Sequence, residues 1–241
     1  MPLVRASDAM LKSVGVDPDE LHRKELELLA RAPGDPVVRE YISEFHALAR
    51  RAAELTGVDS LTGAYNRRRY EAELAKLQQE CERLPTSPES PHRRKTDMPG
   101  VERRRAKFFS MIALDIDRFK NVNDRYGHAV GDTILKEFVE RINRRLRVGD
   151  FVARIGGDEF MVIAMDSNGD AKALAEDLRS LIGDIPFNVY MQGETILLQV
   201  TVSVGVASYH NDTQTMKGLA DKALYAAKHA GRNAVRSATD L

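Results

Sequence analysis

Two short apolar segments joined by three turn-forming residues constrain the fold of this chain more than any other feature. Residues 150–155 read DFVARI, residues 159–165 read EFMVIAM, and Gly156, Gly157 and Asp158 separate them. Apolar runs of this length with Gly and Asp between them are typical of a β-hairpin. Since both runs are mostly apolar, we expect the hairpin to lie in a sheet that helices cover.

The segment before the hairpin predicts one strand and one helix. Residues 108–116 (FFSMIALDI) are a mostly apolar run of strand length, and residues 131–147 form an amphipathic helix. The apolar stripe of that helix consists of Ile134, Leu135, Phe138, Ile142 and Leu146.

The segment after the hairpin predicts a helix, a strand and a closing helix. A helix is expected near residues 171–182, and residues 195–207 (TILLQVTVSVGVA) alternate as one half-buried strand should. The closing helix has apolar positions from Met216 to Ala227, and Gly231 is its expected stop. The order strand, helix, strand, strand, helix, strand predicts an α+β fold with a ferredoxin-like βαββαβ sheet.

Composition excludes several classes of protein. The chain has 241 residues, 43% of them hydrophobic and 30% charged, which is typical of a globular protein and not of a disordered one. Its formal net charge is +0, so no nucleic acid polymer is expected as a partner. The single cysteine, Cys81, excludes an intrachain disulfide framework, and no segment is apolar enough to insert into a membrane. We therefore expect a cytoplasmic protein.

The chain divides into a helical segment at residues 1–56 and a main domain at residues 57–241. In the first, Tyr41, Phe45, Leu48, Ala52 and Leu55 recur at spacings of 4, 3, 4 and 3, as in a coiled-coil seam. Two heptads also fit an amphipathic helix packed on its own domain, so dimerisation through this helix is favoured and the alternative stays open. The main domain carries a proline-rich and arginine-rich insertion at about residues 84–105, which we expect to be flexible.

Two acidic pairs are the candidate site. Asp115 and Asp117 end the first strand, and Asp158 and Glu159 lie at the tip of the hairpin. In a βαββαβ sheet the first strand lies beside the hairpin, so Asp115 could lie near Asp158 and Glu159 at one edge of the sheet. These three carboxylates could bind Mg²⁺ or Mn²⁺ through oxygen. A Gly-Gly-Asp turn by itself also fits an ordinary structural hairpin.

At this point the sequence resembles a known family, the GGDEF-domain diguanylate cyclases. GGDEF at residues 156–160 is the motif that names the family. Three further segments are similar to motifs of this family: DSLTGAYNRR at residues 59–68, LDIDRFKNVND with GHAVGD at residues 114–132, and ALYAAKHAGRN at residues 223–233. The resemblance implies a nucleotide-cyclase-type sheet and the condensation of two GTP molecules into cyclic di-GMP and two pyrophosphates.

The resemblance also implies a metal site and catalytic groups. The carboxylates of Asp115, Asp158 and Glu159 and the main-chain carbonyl of Ile116 would hold Mg²⁺. Asp158 would accept the proton of the attacking 3′-hydroxyl, and Lys120 would stabilise charge on the phosphates.

Substrate contacts are implied at five further positions. Asn123 and Asp132 would read guanine, because a carboxylate accepts both the N1 and N2 protons of that base. His128 would line the substrate pocket, and Lys228 and Arg232 would hold the terminal phosphate. Since each domain would bind one GTP, the active state is expected to be a homodimer.

A second site is implied by RVGD at residues 147–150, where the family carries its RxxD site for inhibition by the product. Arg147 and Asp150 could bind phosphate and guanine, although an arginine at a helix end followed by a turn aspartate is also common. The alternative function is a receptor of the same fold that binds cyclic di-GMP or GTP without turnover. A cyclase that makes another cyclic dinucleotide is the second alternative.

Overall fold

A computed structural model describes residues 36, 38, 57–82, 108–166, 171–191, 193–208 and 212–241. The predicted seam at residues 41–55 and the predicted insertion at residues 84–105 lie outside these residues. The elements in chain order are β1 (Tyr65–Asn66), α1 (Arg67–Glu82), β2 (Phe108–Ile116), α2 (Phe119–Tyr126), α3 (His128–Asn143), β3 (Phe151–Arg154), β4 (Glu159–Asp166), α4 (Lys172–Gly183), β5 (Phe187–Met191), β6 (Glu194–Leu198), β7 (Val202–Ser208), α5 (Thr213–His229), β8 (Val235–Ser237) and a 3₁₀ helix at Ala238–Asp240.

The described residues form one large sheet with strand order β1-β3-β4-β2-β7-β8 and a separate two-stranded sheet of β5 and β6. The four central strands pair antiparallel with one another. The short edge strands pair parallel, β1 with β3 and β8 with β7. With α3 between β2 and β3 and α4 between β4 and β7, this is the predicted βαββαβ arrangement. The predicted fold class is confirmed.

Helices cover both faces of the sheet, which explains the mostly apolar strands. On β2, Ile112 and Leu114 pack in a cluster with α3 and α4, and Met111 and Ala113 pack in a cluster with α1 and α5. Each strand face therefore has its own apolar core, as the period of two along a strand requires.

The prediction of one half-buried strand at residues 195–207 is wrong in two respects. The segment contains two strands, because β6 pairs with β5 and β7 joins the large sheet. In addition, β7 is buried on both faces, since its small residues Ser203, Gly205 and Ala207 are buried as completely as its valines. In the sequence, small residues that alternate with valines resemble the solvent-exposed face of a strand. In the structure, the same small residues let a helix pack closely against the sheet.

Between β2 and α3 the chain forms the helix α2, for which the sequence analysis made no prediction. Its apolar stripe is short, because only Phe119, Val122 and Tyr126 recur at helical spacing and only Phe119 is fully buried. The next helix, α3, begins at His128, three residues before the predicted start. No helix in the described part of the chain is long and apolar enough to cross a lipid bilayer.

Candidate functional site

The end of β2 meets the β3–β4 turn at one edge of the sheet. Asp115 lies opposite Glu159 in the antiparallel register, and the amide of Ile116 donates to the carbonyl of Asp158 at 3.3 Å. The structure thus brings together Asp115, Asp158 and Glu159, and we call this set of three residues the carboxylate edge. Their proximity agrees with the expectation from the strand order.

A lysine from the last turn of α5 neutralises part of this charge. Lys228 Nζ lies 2.7 Å from Asp115 Oδ2, and the Asp115 side chain is only 11% exposed. Burial raises the pKa of Asp115, and the nearby charges of Asp158 and Glu159 raise it further, while the hydrogen bond from Lys228 opposes the shift. Burial therefore outweighs the contact with Lys228 in setting the protonation of Asp115.

The donor chemistry of the carboxylate edge fits a hard divalent cation. Asp115, Asp158 and Glu159 offer only oxygen, and the ammonium of Lys228 already occupies a cation position beside Asp115. In the part of the chain that the structure describes, no group of three or more His, Cys, Asp or Glu side chains is gathered so as to hold a metal ion by itself. Mg²⁺ commonly binds through one or two carboxylates together with substrate phosphates and water, so a complete protein cage is not required.

Arg154, which sequence reasoning did not single out, holds the turn that carries Asp158. Its guanidinium donates to the carbonyl of Gly157 at 2.8 and 3.1 Å and pairs with Asp59 at 3.2 Å. Asp59 in turn accepts hydrogen bonds from Thr62 at 2.6 and 2.9 Å. A charged residue at the end of β3 was a signal in the sequence, but its partner lies 95 positions away.

Gly156 packs closely against Glu159 in the same turn. A Cβ atom at this position would lie 2.8 Å from Glu159 Oε2, so any other residue would push the Glu159 carboxylate away. The amides of Ile155 and Gly156 both donate to the carbonyl of Glu159, at 2.9 and 3.3 Å. The turn is therefore built to fix the direction of the two acids.

Asp117 has a structural environment, although it lies only two residues after Asp115. Its carboxylate accepts hydrogen bonds from Thr201 Oγ1 at 2.7 Å, Ser203 Oγ at 2.6 Å and the amide of Asn233 at 3.0 Å. These contacts join the ends of β2 and β7 to the turn after α5. Both carboxylate oxygens are engaged, so Asp117 is a poor candidate for a metal ligand.

The residues predicted to contact GTP lie on α2, α3 and α5. Lys120 is exposed in the first turn of α2, His128 is the exposed first residue of α3, and Asp132 is half-buried one turn later. A Cβ atom at Gly131 would collide with the side-chain oxygen of Asn123, so α2 and α3 touch beside Asp132. This contact brings the two predicted guanine readers to the same helix pair.

The two predicted phosphate contacts line different clefts. Lys228 lines a cleft of about 360 Å³ with Glu159, whereas Arg232 lines one of about 500 Å³ with Asp117. The backbone of Arg232 has a φ of 67°, and its amide donates to the carbonyl of Ala227 at 3.2 Å. The structure therefore does not gather Lys228 and Arg232 into one cleft.

The RVGD segment forms a closed turn between α3 and β3. The carboxylate of Asp150 accepts from the amide of Arg147 at 2.9 Å and from the amide of Met165 at 2.8 Å. The Arg147 side chain is exposed. Asp150 thus has a structural role, and Arg147 is available to a ligand.

A βαββαβ sheet with acids at the tip of its central hairpin defines a nucleotide-cyclase-type domain, and the family is confirmed by comparison. The chain belongs to the GGDEF family, because the family model described as "Diguanylate cyclase, GGDEF domain" matches residues 95–234.

Individual relatives agree with this assignment. The chain is 33% identical to the response regulator PleD of Caulobacter vibrioides over 224 residues, which is 91% of this chain and 43% of PleD. It is 42% identical to diguanylate cyclase A of Treponema denticola over 130 residues, which is 52% of this chain and 34% of that protein. The chain thus spans less than half the length of these curated relatives.

Among solved structures, the coiled coil and GGDEF domain of DgcB from Caulobacter crescentus, in complex with c-di-GMP, is similar with a TM-score of 0.62. The two chains are 28% identical, and the match covers 87% of this chain and 98% of that one.

Proposed function

We propose that this protein is a diguanylate cyclase, which condenses two GTP molecules into cyclic di-GMP and two pyrophosphates. The observation that carries the proposal is the carboxylate edge, where Asp115 lies opposite Glu159 and close to Asp158, with the ammonium of Lys228 on Asp115. The similarity to a named diguanylate cyclase and to a GGDEF domain in complex with c-di-GMP supports the same activity.

Mg²⁺, or Mn²⁺, would be held by the carboxylates of Asp115, Asp158 and Glu159 and by the carbonyl of Ile116. The ion would supply positive charge against the phosphate oxygens. Asp115 is well placed for this role, because its nearly buried carboxylate lies opposite Glu159 and beside the ammonium of Lys228.

In the proposed reaction, the 3′-hydroxyl oxygen of one GTP attacks the α-phosphorus of the other. Its proton passes to Asp158, and the bond between the α- and β-phosphates breaks to release pyrophosphate. Lys120, Lys228 and Arg232 would stabilise negative charge on the phosphates, which is the main requirement of phosphoryl transfer.

Base selection would reside on the α2–α3 pair. Asn123 and Asp132 would hydrogen-bond the guanine edge, while adenine lacks the donor pair that a carboxylate can accept. His128, at the exposed start of α3, would line the same pocket. The close contact of Asn123 with Gly131 supports a fixed spacing between the two readers.

Two domains must face each other, because each binds one GTP and the product contains two 3′–5′ bonds. We therefore propose a homodimer, with residues 1–56 as the regulatory and dimerising segment and residues 57–241 as the cyclase domain. A cytoplasmic location belongs to this proposal, since GTP is a cytoplasmic metabolite.

The test is incubation of the purified protein with GTP and Mg²⁺, followed by mass-spectrometric identification of the products. Wild type and an Asp177→Ala variant should form cyclic di-GMP, and Asp158→Ala should form none. Asp177 is an exposed carboxylate on α4 and serves as the matched control. Product from Asp158→Ala at the wild-type rate would contradict the assigned proton acceptor.

The same experiment decides between the cyclase and a non-catalytic receptor. A receptor would give no product with GTP, Mg²⁺ or Mn²⁺, and the protein freed of nucleotide would still bind cyclic di-GMP. A cyclase that is held inactive by its own product should release cyclic di-GMP on denaturation and, unlike a receptor, should form product from GTP once that nucleotide has been removed from the native protein.

We further propose that cyclic di-GMP inhibits the enzyme at Arg147 and Asp150. Arg147→Ala should raise the inhibitory concentration of the product by at least about tenfold, because a charge-assisted contact to phosphate is lost. Arg145→Ala removes an equally exposed arginine two positions earlier and should leave inhibition unchanged. Unchanged inhibition of Arg147→Ala would remove this site, and Asp150 is unsuitable for the test because its carboxylate closes the turn.

A further inference from the structure

A cleft of about 500 Å³ lies between α2, the segment after β6 and the turn after α5. Three arginines line it, Arg118, Arg125 and Arg232, and we call it the arginine cleft. Its volume falls within the range of roughly 300–1,000 Å³ that is usual for small-molecule sites. Its apolar lining comes from Val122, Tyr126, Leu197, Leu198 and Val200.

The arginine cleft has an excess of positive charge. Among the described residues, no carboxylate forms an ion pair with Arg118, Arg125 or Arg232. The one carboxylate in the lining is Asp117, whose two oxygens accept hydrogen bonds from Thr201, Ser203 and Asn233. The guanidinium groups are therefore available to an anion from outside the protein.

Unusual backbone conformations in the described residues coincide with this cleft. The non-glycine residues with positive φ there are Arg118 at 55°, Arg232 at 67° and Asn233 at 42°, and all three line the arginine cleft. Such conformations cost free energy and are concentrated at binding and catalytic sites. Arg118 and Arg232 combine this cost with a charge that no carboxylate among the described residues pairs with.

The arginine cleft lies on the other side of α2 from the predicted guanine readers. An α-helix turns by about 100° per residue, so Arg125 points roughly 200° away from Asn123. Asn123 contacts α3 at Gly131, whereas Asn121, Val122 and Arg125 face the cleft. A ligand in the cleft would therefore contact α2 without occupying the proposed guanine pocket.

We propose that the arginine cleft binds a phosphate-bearing small molecule of nucleotide size, at a site separate from the guanine pocket. The guanidinium groups of Arg118 and Arg125 bind the phosphates, for which their planar arrangement of donors is well suited. The apolar wall of Leu197, Leu198 and Val200 receives the base, because the guanidinium of Arg125 lies over the Tyr126 ring at 5.1 Å. Arg232 lies at the junction with the proposed phosphate site of GTP, so Arg118 and Arg125 are the residues that belong to the cleft alone.

The test is calorimetric titration of the full chain with ATP in EDTA, which removes metal and avoids the guanine base. Wild type should bind ATP, and an Arg118→Gln, Arg125→Gln double variant should bind at least about tenfold more weakly. An Arg68→Gln, Lys222→Gln double variant removes the same charge from exposed positions on α1 and α5 and should bind as wild type does. Melting temperatures of all variants show that each is folded.

Three further arms separate the possible sources of binding. Adenosine should bind far more weakly than ATP, and tripolyphosphate should bind more weakly than ATP because it cannot use the apolar wall. An Asp132→Ala variant should still bind ATP, because Asp132 lies in the guanine pocket.

Several results would overturn the proposal. These are no ATP binding by wild type at millimolar concentration, equal losses in both double variants, loss of binding in Asp132→Ala, or tripolyphosphate binding as tight as that of ATP. None of these measurements uses cyclase activity, so their outcome is independent of whether the protein is a cyclase.

Discussion

Asp115 and Asp117 are chemically identical and two positions apart, yet their surroundings give them different properties. The carboxylate of Asp117 accepts three hydrogen bonds from hydroxyl and amide donors. Asp115 has a lysine on one oxygen and two further carboxylates nearby. The first arrangement stabilises the fold, and the second leaves a charge that a cation can complete.

This difference predicts opposite effects of removing the two charges from the metal-free protein. Burial raises the pKa of Asp115 despite Lys228, so the folded state keeps the proton to a higher pH than the unfolded state does. The stability contribution of Asp115 therefore falls as the pH rises from the ordinary carboxyl range through the raised pKa. Asp115→Asn should raise the melting temperature in EDTA at pH 7, and the gain should disappear as the pH falls below the ordinary carboxyl range.

Asp117→Asn is the matched control and should lower the melting temperature at pH 7, because a buried acceptor loses part of its hydrogen bonding. Thermal unfolding, followed by circular dichroism, measures both variants between about pH 3 and pH 8, which is the range over which carboxyl groups and histidine titrate. A melting temperature of Asp115→Asn below that of wild type at pH 7 would contradict the environment described for Asp115.

At the scale of elements, the contact between β7 and α5 sets the position of Lys228. A Cβ atom at Gly205 would collide with the backbone of α5 at Ala220 and Leu224, so the helix lies directly on the strand. The same helix brings Lys228 to Asp115 about one turn after Leu224. A single glycine thus fixes the distance between the helix and the carboxylate edge.

Gly205→Ala should destabilise the protein by about 1–3 kcal/mol, because the backbone of α5 must move outward. The shift would also weaken the contact of Lys228 with Asp115. Gly218→Ala is the matched control, since a Cβ atom there meets nothing within 4 Å and alanine is favoured inside a helix by about 1 kcal/mol. Chemical denaturation measures both variants, and an equal or higher stability of Gly205→Ala would show that α5 can repack without cost.

The elements that the sequence predicted well are those whose apolar residues recur clearly at the spacing of a helix or a strand. The strand β2, the hairpin of β3 and β4, and α5 agree with their apolar patterns, because tertiary packing acts on residues that the pattern already identifies. The helix α2 has only three apolar positions, Phe119, Val122 and Tyr126, which is a short pattern. The double burial of β7 depends on small residues that a helix distant in the sequence covers. The acids of the carboxylate edge stood out among apolar residues, whereas the role of Arg154 depends on Asp59, far away in the sequence.

For the whole molecule, the proposed reaction requires two domains, and the predicted seam at residues 41–55 is the candidate for joining them. Phe45→Glu with Leu48→Glu should abolish dimerisation and cyclase activity together, because charges on the seam of a coiled coil are strongly unfavourable. Analytical ultracentrifugation and product formation from GTP measure the two effects.

The matched control for the seam is Ser43→Glu with Arg50→Glu, which places two glutamates at positions outside the apolar repeat. These changes should preserve both the dimer and the activity. Full activity in a proven monomer of the seam variant would contradict the need for a dimer.

The amide of Asn233 donates to Asp117, so its hydrogen exchange can be used to measure how firmly the C-terminal segment is attached to the sheet. Next to it, the amide of Val204 donates to the carbonyl of Ala234, so β8 and the turn before it are held by bonds to β2 and β7. Deuterium uptake at the Asn233 amide would then report how often this turn lifts from the sheet. Arg232 moves with that turn, so one exchange rate would give the opening frequency of the arginine cleft on its C-terminal side.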